Sequence, residues 1–257
     1  MPDHAPQILM LGGTTEASAL AQALAGRGLR ATFSYAGRVT HPRAQPLPTR
    51  VGGFGGAEGL ARYLATEAIT HLIDATHPFA ARMSANAVAA AGIAGVPLLA
   101  LTRPPWTPAA GDQWQQAADI AAAVTALAGP PQRILLALGR MHLAEFAAQP
   151  QHHYLLRLVD PPSAAIPLPD HHVRVDRGPF DVAGDRALLL RHRITRVVCK
   201  NAGGDGARAK LLAARQLGLP VLMVQRPAQP TRAEVHDIAA VFAWLDHAGP
   251  TNAERGV

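Results

Sequence analysis

Short apolar runs alternate along the chain with Ala- and Leu-rich stretches of helical length. Runs such as residues 8–11 and 197–199 have the length of buried strands, and this alternation predicts βαβ units and largely parallel sheets. We expect an α/β protein with strands near 7–12, 30–35, 71–75, 97–102, 133–138, 153–158, 172–175, 195–200 and 220–224. We expect helices near 14–26, 57–67, 78–94, 116–128, 181–191, 206–217 and 232–246.

The chain divides into two similar halves. Gly129-Pro130-Pro131 has the composition of a linker, and the segment 95–104 resembles the segment 218–227: each reads as a helix exit, a strand and an Arg-Pro pair. We therefore predict two Rossmann-like or flavodoxin-like domains, 1–130 and 131–257, with mainly parallel sheets and a cleft between them. The alternative is that any two βαβ units resemble each other to this degree. In both cases the loops after the strands lie at the carboxyl edge of a sheet, where open α/β folds bind ligands.

Composition and charge limit the possible ligands. The chain has 257 residues, of which 49% are hydrophobic and 16% charged, as in a folded protein. The formal net charge is +6, but aromatic residues make up only 5% and no Lys/Arg run reaches five residues. A small acidic molecule is therefore a better candidate ligand than nucleic acid, which we do not expect as a partner.

The distribution of cysteine and of apolar residues bears on the compartment. Cys199 is the single cysteine, so stability comes from packing, and a reducing cytoplasmic compartment is expected. The longest apolar stretch, residues 87–101, is shorter than a membrane span and is interrupted by Gly92, Gly95 and Pro97. We expect no membrane segment and no signal peptide.

The first strand leads directly into Gly12-Gly13-Thr14-Thr15 and a helix. Glycines allow backbone N–H groups to approach a phosphate, and the start of a helix adds partial positive charge. Thr14 and Thr15 could add hydroxyl donors, although Thr14 could equally be only a helix cap. The segment is neither the G-x-G-x-x-G fingerprint nor a Walker loop, so alone it indicates dinucleotide binding only weakly.

The end of the second strand indicates which dinucleotide is preferred. An NAD site has an acidic residue there for the ribose 2′-OH, whereas this chain has Ser34, Tyr35, Gly37 and Arg38. Ser34 and Arg38 suit a 2′-phosphate, so NADPH is the expected cofactor, unless Arg38 is only a solvated charge.

Further polar loops follow strands in both halves. Thr76 and His77 would lie beside the nicotinamide, although either could simply cap a helix that begins at Pro78. In the second half, the loops after strands are expected to form an anion-receiving wall, which again could be no more than solvated surface; its residues are Arg140, Lys200, Asn201, Gly203, Gly204, Asp205 and Arg226.

Two histidine pairs raise the question of a metal. His152-His153 and His171-His172 are adjacent pairs whose side chains would point in different directions on a strand, with no H-E-x-x-H motif or Cys cluster nearby. We expect no metal site.

Taken together, the motifs resemble those of a known family. Leu11-Gly12-Gly13-Thr14-Thr15-Glu16-Ala17, Tyr35-Ala36-Gly37-Arg38, Asp74-Ala75-Thr76-His77-Pro78-Phe79-Ala80, Arg103-Pro104-Pro105-Trp106 and Lys200-Asn201-Ala202-Gly203-Gly204 occur in this order in precorrin-6A reductases of the cobalamin pathway. The resemblance extends from about residue 8 to 246 and is specific as a set.

The resemblance implies an NADPH-dependent reduction of one double bond of the precorrin-6A macrocycle, giving precorrin-6B. It implies an NADPH-binding first domain, a tetrapyrrole-binding second domain and an active site between them. Enzymes that act on the cobalt-containing substrate look similar, so the branch of the pathway stays open, as does the oligomeric state. For the proton donor, His77, Lys200, Asp205 and water all stay candidates.

Two other functions compete with this interpretation. A nucleoside-diphosphate-sugar or simple carbonyl reductase would share the Gly-rich loop but usually carries a Tyr-x-x-x-Lys pair, which this chain lacks. A non-enzymatic module that senses NADPH would account for the first half but would leave the cationic loops of the second half without a role.

Overall fold

The structure is a computed structural model that describes residues 5–37, 42–178 and 180–247. It contains two six-stranded sheets, both fully parallel where their strands pair, and each sheet has its own compact unit. The predicted α/β class with two domains of parallel strands is confirmed.

In the part of the chain that the structure describes, the first domain contains four helices and one sheet. Numbered along the chain, its strands are β1 (Gln7–Leu11), β2 (Arg30–Tyr35), β3 (Thr49–Val51), β4 (His71–Asp74), β5 (Leu98–Leu101) and β12 (Glu234–Val235). Its helices are α1 (Thr15–Gly26), α2 (Ala57–Thr66), α3 (Ala81–Ala94) and α7 (Ile238–His247).

Among its described residues, the second domain contains three α-helices and two short 3₁₀ helices. Its strands are β6 (Trp114–Ala117), β7 (Arg133–Ala137), β8 (His153–Leu158), β9 (His171–Val175), β10 (Arg196–Lys200) and β11 (Val221–Val224). Its helices are α4 (Ile120–Thr125), α5 (Val182–Arg191) and α6 (Ala209–Gln216), with 3₁₀ turns at Arg140–His142 and Ala144–Ala148.

The first sheet is buried on both faces, which explains why its central strands read as continuous apolar runs. Along β1, Ile8 and Met10 belong to the core that includes residues of α1 and α7, whereas Leu9 and Leu11 belong to the core that includes α2 and α3. This alternation follows from the two-residue period of a strand. Helices therefore pack on both faces of the sheet, and because the strands are parallel their carboxyl ends lie along the same edge.

Both sheets use the strand order of dinucleotide-binding folds. The first has the order β3-β2-β1-β4-β5-β12, and the second has the corresponding order β9-β8-β7-β10-β11-β6. In each sheet the order reverses between two central strands, β1 and β4 in the first and β7 and β10 in the second. Ligands of such sheets bind at this switch point, outside the carboxyl ends of the strands.

The division of the chain differs from the single boundary expected at residue 130. The second domain is the continuous segment Pro104–Pro227, and the first comprises the residues up to Arg103 together with those from Ala228 onward. The reason is the pairing of two edge strands: β6 joins β11 in the second sheet, and β12 joins β5 in the first. Gly129-Pro130-Pro131 is therefore a turn inside the second domain, between α4 and β7.

The nine predicted strands and seven predicted helices are present, but three strands were not predicted. They are the short edge strands β3, β6 and β12. Residues 116–119 and 232–237, expected to be helical, instead contain the end of β6 and the whole of β12, so α4 begins at Ile120 and α7 at Ile238. No helix in the described ranges has the length and apolar character needed to cross a bilayer.

Candidate active site

The Gly-Gly turn follows β1 at the switch point of the first sheet. A Cβ on Gly12 would lie 2.1 Å from the ring of Phe33, so glycine is required there for packing alone. Gly13 has φ +132° and no protein atom within 4 Å of the position that a Cβ would take. The turn therefore leaves open space in front of Gly13, next to the start of α1, where a phosphate group would fit.

Thr14 caps α1 and joins two loops. Its hydroxyl accepts the N–H of Ala17 at 3.0 Å and donates to the carbonyl of Ala75 at 3.0 Å. The capping interpretation of Thr14 is thus the one that the structure shows, and the single hydroxyl proton is already donated to protein. Backbone N–H groups at the start of α1, which have no acceptor within the helix, are the better donors for an anion.

The other side chains of this turn form an ion pair. The hydroxyl of Thr15 donates to Glu16, and the guanidinium of Arg103 donates to both oxygens of the same carboxylate. Thr15 and Glu16 begin α1, and Arg103 follows β5, so the pair connects two loops at the carboxyl edge of the sheet.

At the end of β2, where the ribose is predicted to bind, lies an arginine that the sequence did not indicate. Arg50 of β3 donates from Nη1 to the hydroxyl of Ser34 at 2.9 Å, and its guanidinium lies 3.8 Å from the ring centroid of Phe54. The hydroxyl of Tyr35 donates to the carbonyl of Arg43 at 2.8 Å.

Of the two other residues predicted at this strand end, Gly37 and Arg38, the structure describes only Gly37. Gly37 has φ +75°, which favours glycine. Arg38 lies outside the described residues, so its predicted role stays a prediction.

The loop after β4 is held by a buried carboxylate. Asp74 is 2% exposed. Its Oδ1 accepts the N–H and the hydroxyl of Thr76 at 3.1 and 2.6 Å, and its Oδ2 accepts the hydroxyl of Ser84 at 2.6 Å and Nη1 of Arg232 at 2.5 Å. The four hydrogen bonds fix the loop against α3 and against the segment that leads into β12.

Thr76 and His77 do not cap a helix at Pro78. The helix α3 begins at Ala81, and the preceding Ala80 makes no side-chain cap. The hydroxyl of Thr76 is used by Asp74, and Nδ1 of His77 accepts the N–H of Phe79 at 3.2 Å. In neutral His77 the ring proton is therefore on Nε2.

In the second domain, Asn201 is a structural residue. It is 6% exposed, and its side chain makes two hydrogen bonds with the backbone of Trp106: Oδ1 accepts the N–H at 2.8 Å and Nδ2 donates to the carbonyl at 3.0 Å. The indole of Trp106 donates to the carbonyl of Gly204 at 2.8 Å.

Arg226 and Gly203 complete this loop. The guanidinium of Arg226 donates to the carbonyls of Asn201 and Ala202 at 2.9 and 3.1 Å. Gly203 has φ +70°, and a Cβ there would lie 2.2 Å from the carbonyl oxygen of Pro104. These interactions stabilise the loop itself, and contact of its residues with a substrate stays a prediction.

Lys200 and Arg140 lie on the loops at the switch point of the second sheet, Lys200 at the end of β10 and Arg140 after β7. An unpredicted carboxylate, Glu145, lies near Lys200. Burial disfavours its ionisation, but the hydrogen bond from His142, 3.0 Å away, and the charges of His142 and Lys200 hold the pKa of Glu145 below its ordinary value. The predicted cationic wall therefore also contains a negative charge.

A cavity of about 320 Å³ lies beside the predicted Gly204 and Asp205. The residues that line it include Trp106, Trp114 and Arg208. Asp205 is exposed, and Gly204 has φ +70°.

The histidine pairs have structural contacts. His152 is buried with both ring nitrogens within hydrogen-bond distance of the backbone, and His153 lies 2.7 Å from a carboxylate. His171 lies 2.7 Å from a carbonyl, and His172 is tilted against another imidazole. In the part of the chain that the structure describes, no group of three His, Cys, Asp or Glu is placed to hold a metal ion.

The strand order, the Gly-Gly turn and the cationic loops define a two-domain α/β protein whose first sheet has the order and the open turn of a dinucleotide-binding domain. A profile described as "CbiJ: Precorrin-6x reductase CbiJ/CobK" matches residues 7–246. The chain belongs to this family, which confirms the resemblance noted from its motifs.

Individual relatives support this membership over the whole length. A precorrin-6A reductase of Rhodobacter capsulatus is 58% identical over 251 residues, which are 98% of this chain and 99% of the relative. A precorrin-6A reductase of Rhodococcus erythropolis is 47% identical over 241 residues, 93% of this chain and 97% of the relative. The solved structure "CobK precorrin-6A reductase" is 57% identical, with a TM-score of 0.93 and coverage of 97% and 100%.

We predict that Arg232→Met destabilises the protein by about 3–5 kcal/mol, because it leaves the carboxylate of Asp74 buried without its cation. Urea unfolding followed by circular dichroism measures the loss. The double variant Arg232→Met/Asp74→Asn should recover part of the lost free energy of unfolding. The matched control is Arg62→Met, which removes an arginine from a surface pair with Glu58 and should cost less than about 1 kcal/mol. Equal small losses in both variants would contradict the role of Asp74.

Proposed function

We propose that this protein catalyses the NADPH-dependent reduction of one double bond of precorrin-6A, giving precorrin-6B, as a cytosolic step of cobalamin biosynthesis. The observation that carries the proposal is the family match, which extends across both domains from residue 7 to 246. The buried thiol of Cys199 agrees with a reducing compartment.

The first domain supplies the proposed cofactor site. The open space at Gly13 and the start of α1 would receive the pyrophosphate. Arg50, held beside Ser34, adds positive charge at the strand end where a 2′-phosphate would lie, and Arg38 is placed nearby by sequence. The loop with Thr76 and His77 lies after β4, on the other side of the switch point, as the nicotinamide end requires.

When bound, NADPH would supply the hydride for an electron-poor carbon of the macrocycle. The protein contributes orientation and a proton for the neighbouring carbon. His77 is the proposed donor, because it lies on the loop after β4 beside the proposed nicotinamide position. The neutral ring, whose Nδ1 accepts from Phe79, would first take up a proton, and the resulting imidazolium would then protonate the neighbouring carbon. Asp74 acts through the backbone and the side chain of Thr76, which it fixes in place.

The second domain supplies the proposed substrate site. Precorrin-6A carries several acetate and propionate carboxylates, which require cations at fixed positions. Lys200 ends β10 and Arg140 follows β7 at the switch point, and Arg208 lines the cavity beside Gly204 and Asp205. Arg226 contributes mainly by holding the loop that follows Lys200.

Anaerobic incubation of the protein with NADPH and precorrin-6A tests the activity. The expected result is loss of the reduced-cofactor band at about 340 nm in step with the change in macrocycle absorption, one cofactor for each macrocycle. Binding of NADPH without turnover would favour the sensing module, and turnover of a simple carbonyl compound instead would favour the other reductase class.

Gly13→Val should abolish NADPH binding, because the added side chain would occupy the space proposed for the pyrophosphate. Calorimetry measures the affinity, and circular dichroism checks the fold. Gly28→Val is the matched control, since Gly28 also has a positive φ of +65° and open space but lies at the opposite end of α1. If Gly13→Val binds NADPH as the parent does, the phosphate assignment is wrong.

NADPH should bind more tightly than NADH. Arg38→Ala should reduce the difference between their binding free energies by about 1.5–3 kcal/mol, the value of a charge-assisted hydrogen bond. Titration calorimetry with both cofactors measures it. Arg30→Ala, at the other end of β2, is the control and should leave the ratio unchanged. Equal affinity of the parent protein for both cofactors would contradict the assignment.

Lys200→Ala should raise the KM for the tetrapyrrole roughly tenfold, about 1.4 kcal/mol, with little change in NADPH affinity. Arg186→Ala removes one positive charge from an exposed position on α5 of the same domain and serves as the control. Steady-state kinetics at two ionic strengths measures both variants. A fall in kcat at constant KM would instead make Lys200 a proton donor or a group that stabilises the transition state.

A further inference from the structure

A narrow crevice lies beside the Gly-Gly turn in the first domain. Among the residues that line it are Thr14, Glu16, Thr76, Thr102 and Arg103. These residues follow the ends of β1, β4 and β5, so the crevice lies at the switch point of the sheet.

The Glu16–Arg103 ion pair is part of the wall of this crevice. Nη1 of Arg103 lies 3.2 Å from Oε1 and 3.0 Å from Oε2 of Glu16, and the hydroxyl of Thr15 donates to Oε2 at 3.0 Å. The side chains of Arg103 and Glu16 are 14% and 28% exposed, so water screens their charges only in part.

The carboxylate belongs to the first helical turn after the proposed phosphate position at Gly13. Glu16 is in the first turn of α1, three residues after Gly13. A helix start attracts anions, but a bare carboxylate there would repel the two negative charges of a pyrophosphate. The guanidinium of Arg103 cancels that charge.

We propose that the Glu16–Arg103 ion pair sets the charge of the pyrophosphate site, and that Arg103 is a positioning residue for cofactor binding that acts by neutralising Glu16. The proposal rests on the NADPH site of the proposed function. It explains why an acidic residue is compatible with a phosphate site at the start of α1. It also gives a role to the Arg103-Pro104 motif, which the cofactor and substrate assignments leave unused.

The two arginines that correspond in the internal repeat donate to different kinds of acceptor. Arg226 occupies the corresponding position after β11 in the second domain, but it donates to the backbone carbonyls of Asn201 and Ala202. Arg103 donates to a carboxylate on the phosphate-binding helix. Because Arg103 precedes a proline, its backbone is restricted to extended conformations, which limits where the guanidinium can lie.

The test compares NADPH affinity in the full-length parent, Arg103→Ala, Arg103→Lys, Glu16→Gln and the double variant Arg103→Ala/Glu16→Gln. Titration calorimetry at low and high salt gives the dissociation constants. Arg103→Ala should weaken binding on the order of tenfold, and less at high salt because the repulsion is screened. Arg103→Lys should restore most of the affinity. Glu16→Gln should bind as tightly as the parent or more tightly, and the double variant should return to within roughly threefold of the parent.

Arg62→Ala, which breaks an exposed Arg–Glu pair on α2, is the matched control and should bind NADPH like the parent. A double variant as weak as Arg103→Ala would overturn the proposal, because Arg103 would then act independently of Glu16. Loss of affinity in Glu16→Gln would overturn it as well, and this variant decides the question even if Arg103→Ala fails to fold. If the parent binds NADPH and all variants bind equally, only the ion-pair proposal fails. If the parent does not bind NADPH, the proposed cofactor fails with it.

Discussion

The buried carboxylate of Asp74 is the interaction on which the arrangement of the first domain's loops depends. It joins the loop after β4, the helix α3 and, through Arg232, a segment 158 residues further along the chain. Since Thr14 donates to the carbonyl of Ala75, the loop fixed by Asp74 also positions the cap of α1. The turn proposed to bind phosphate and the loop proposed to face the nicotinamide are therefore parts of one hydrogen-bonded network, which the Asp74–Arg232 ion pair holds in place.

The sequence predicted the strands that are buried, because burial on both faces produces continuous apolar runs. Of the strands at the sheet edges it predicted β9 but not β3, β6 or β12. In β6, Gln115 and Gln116 are exposed, and β12 has only two residues, Glu234 and Val235, so neither carries a hydrophobic period. Their extended conformation comes from pairing with β11 and β5. The predicted domain boundary was wrong for the same reason, because β6 assigns the residues from 104 onward to the second domain and β12 returns the end of the chain to the first.

Among the site residues, the glycines that the sequence singled out lie in turns, and their contact with a ligand stays a prediction. Gly13 and Gly203 have the positive φ that such turns need. The roles of polar residues depended on distant partners: Asn201 bonds to Trp106, 95 residues away, and Arg50 reaches Ser34 through a strand that had not been predicted. A sequence shows that such a side chain can donate or accept a hydrogen bond, but only the fold shows which group has already taken it.

The exchange of edge strands has a consequence for synthesis on the ribosome. The second domain is one uninterrupted segment, so all of its strands are available once residue 227 has been made. The first domain must wait for β12 and for Val241, Phe242 and Leu245 of α7, which complete its core. At about 5–20 residues per second, translation of the 130 residues from 104 to 233 takes roughly 7–26 s. During that interval the nascent first domain exposes an apolar face and an unpaired β5 edge, and Arg232 has not yet reached Asp74. The N-terminal domain is therefore the last to be completed, the reverse of the usual order of co-translational folding.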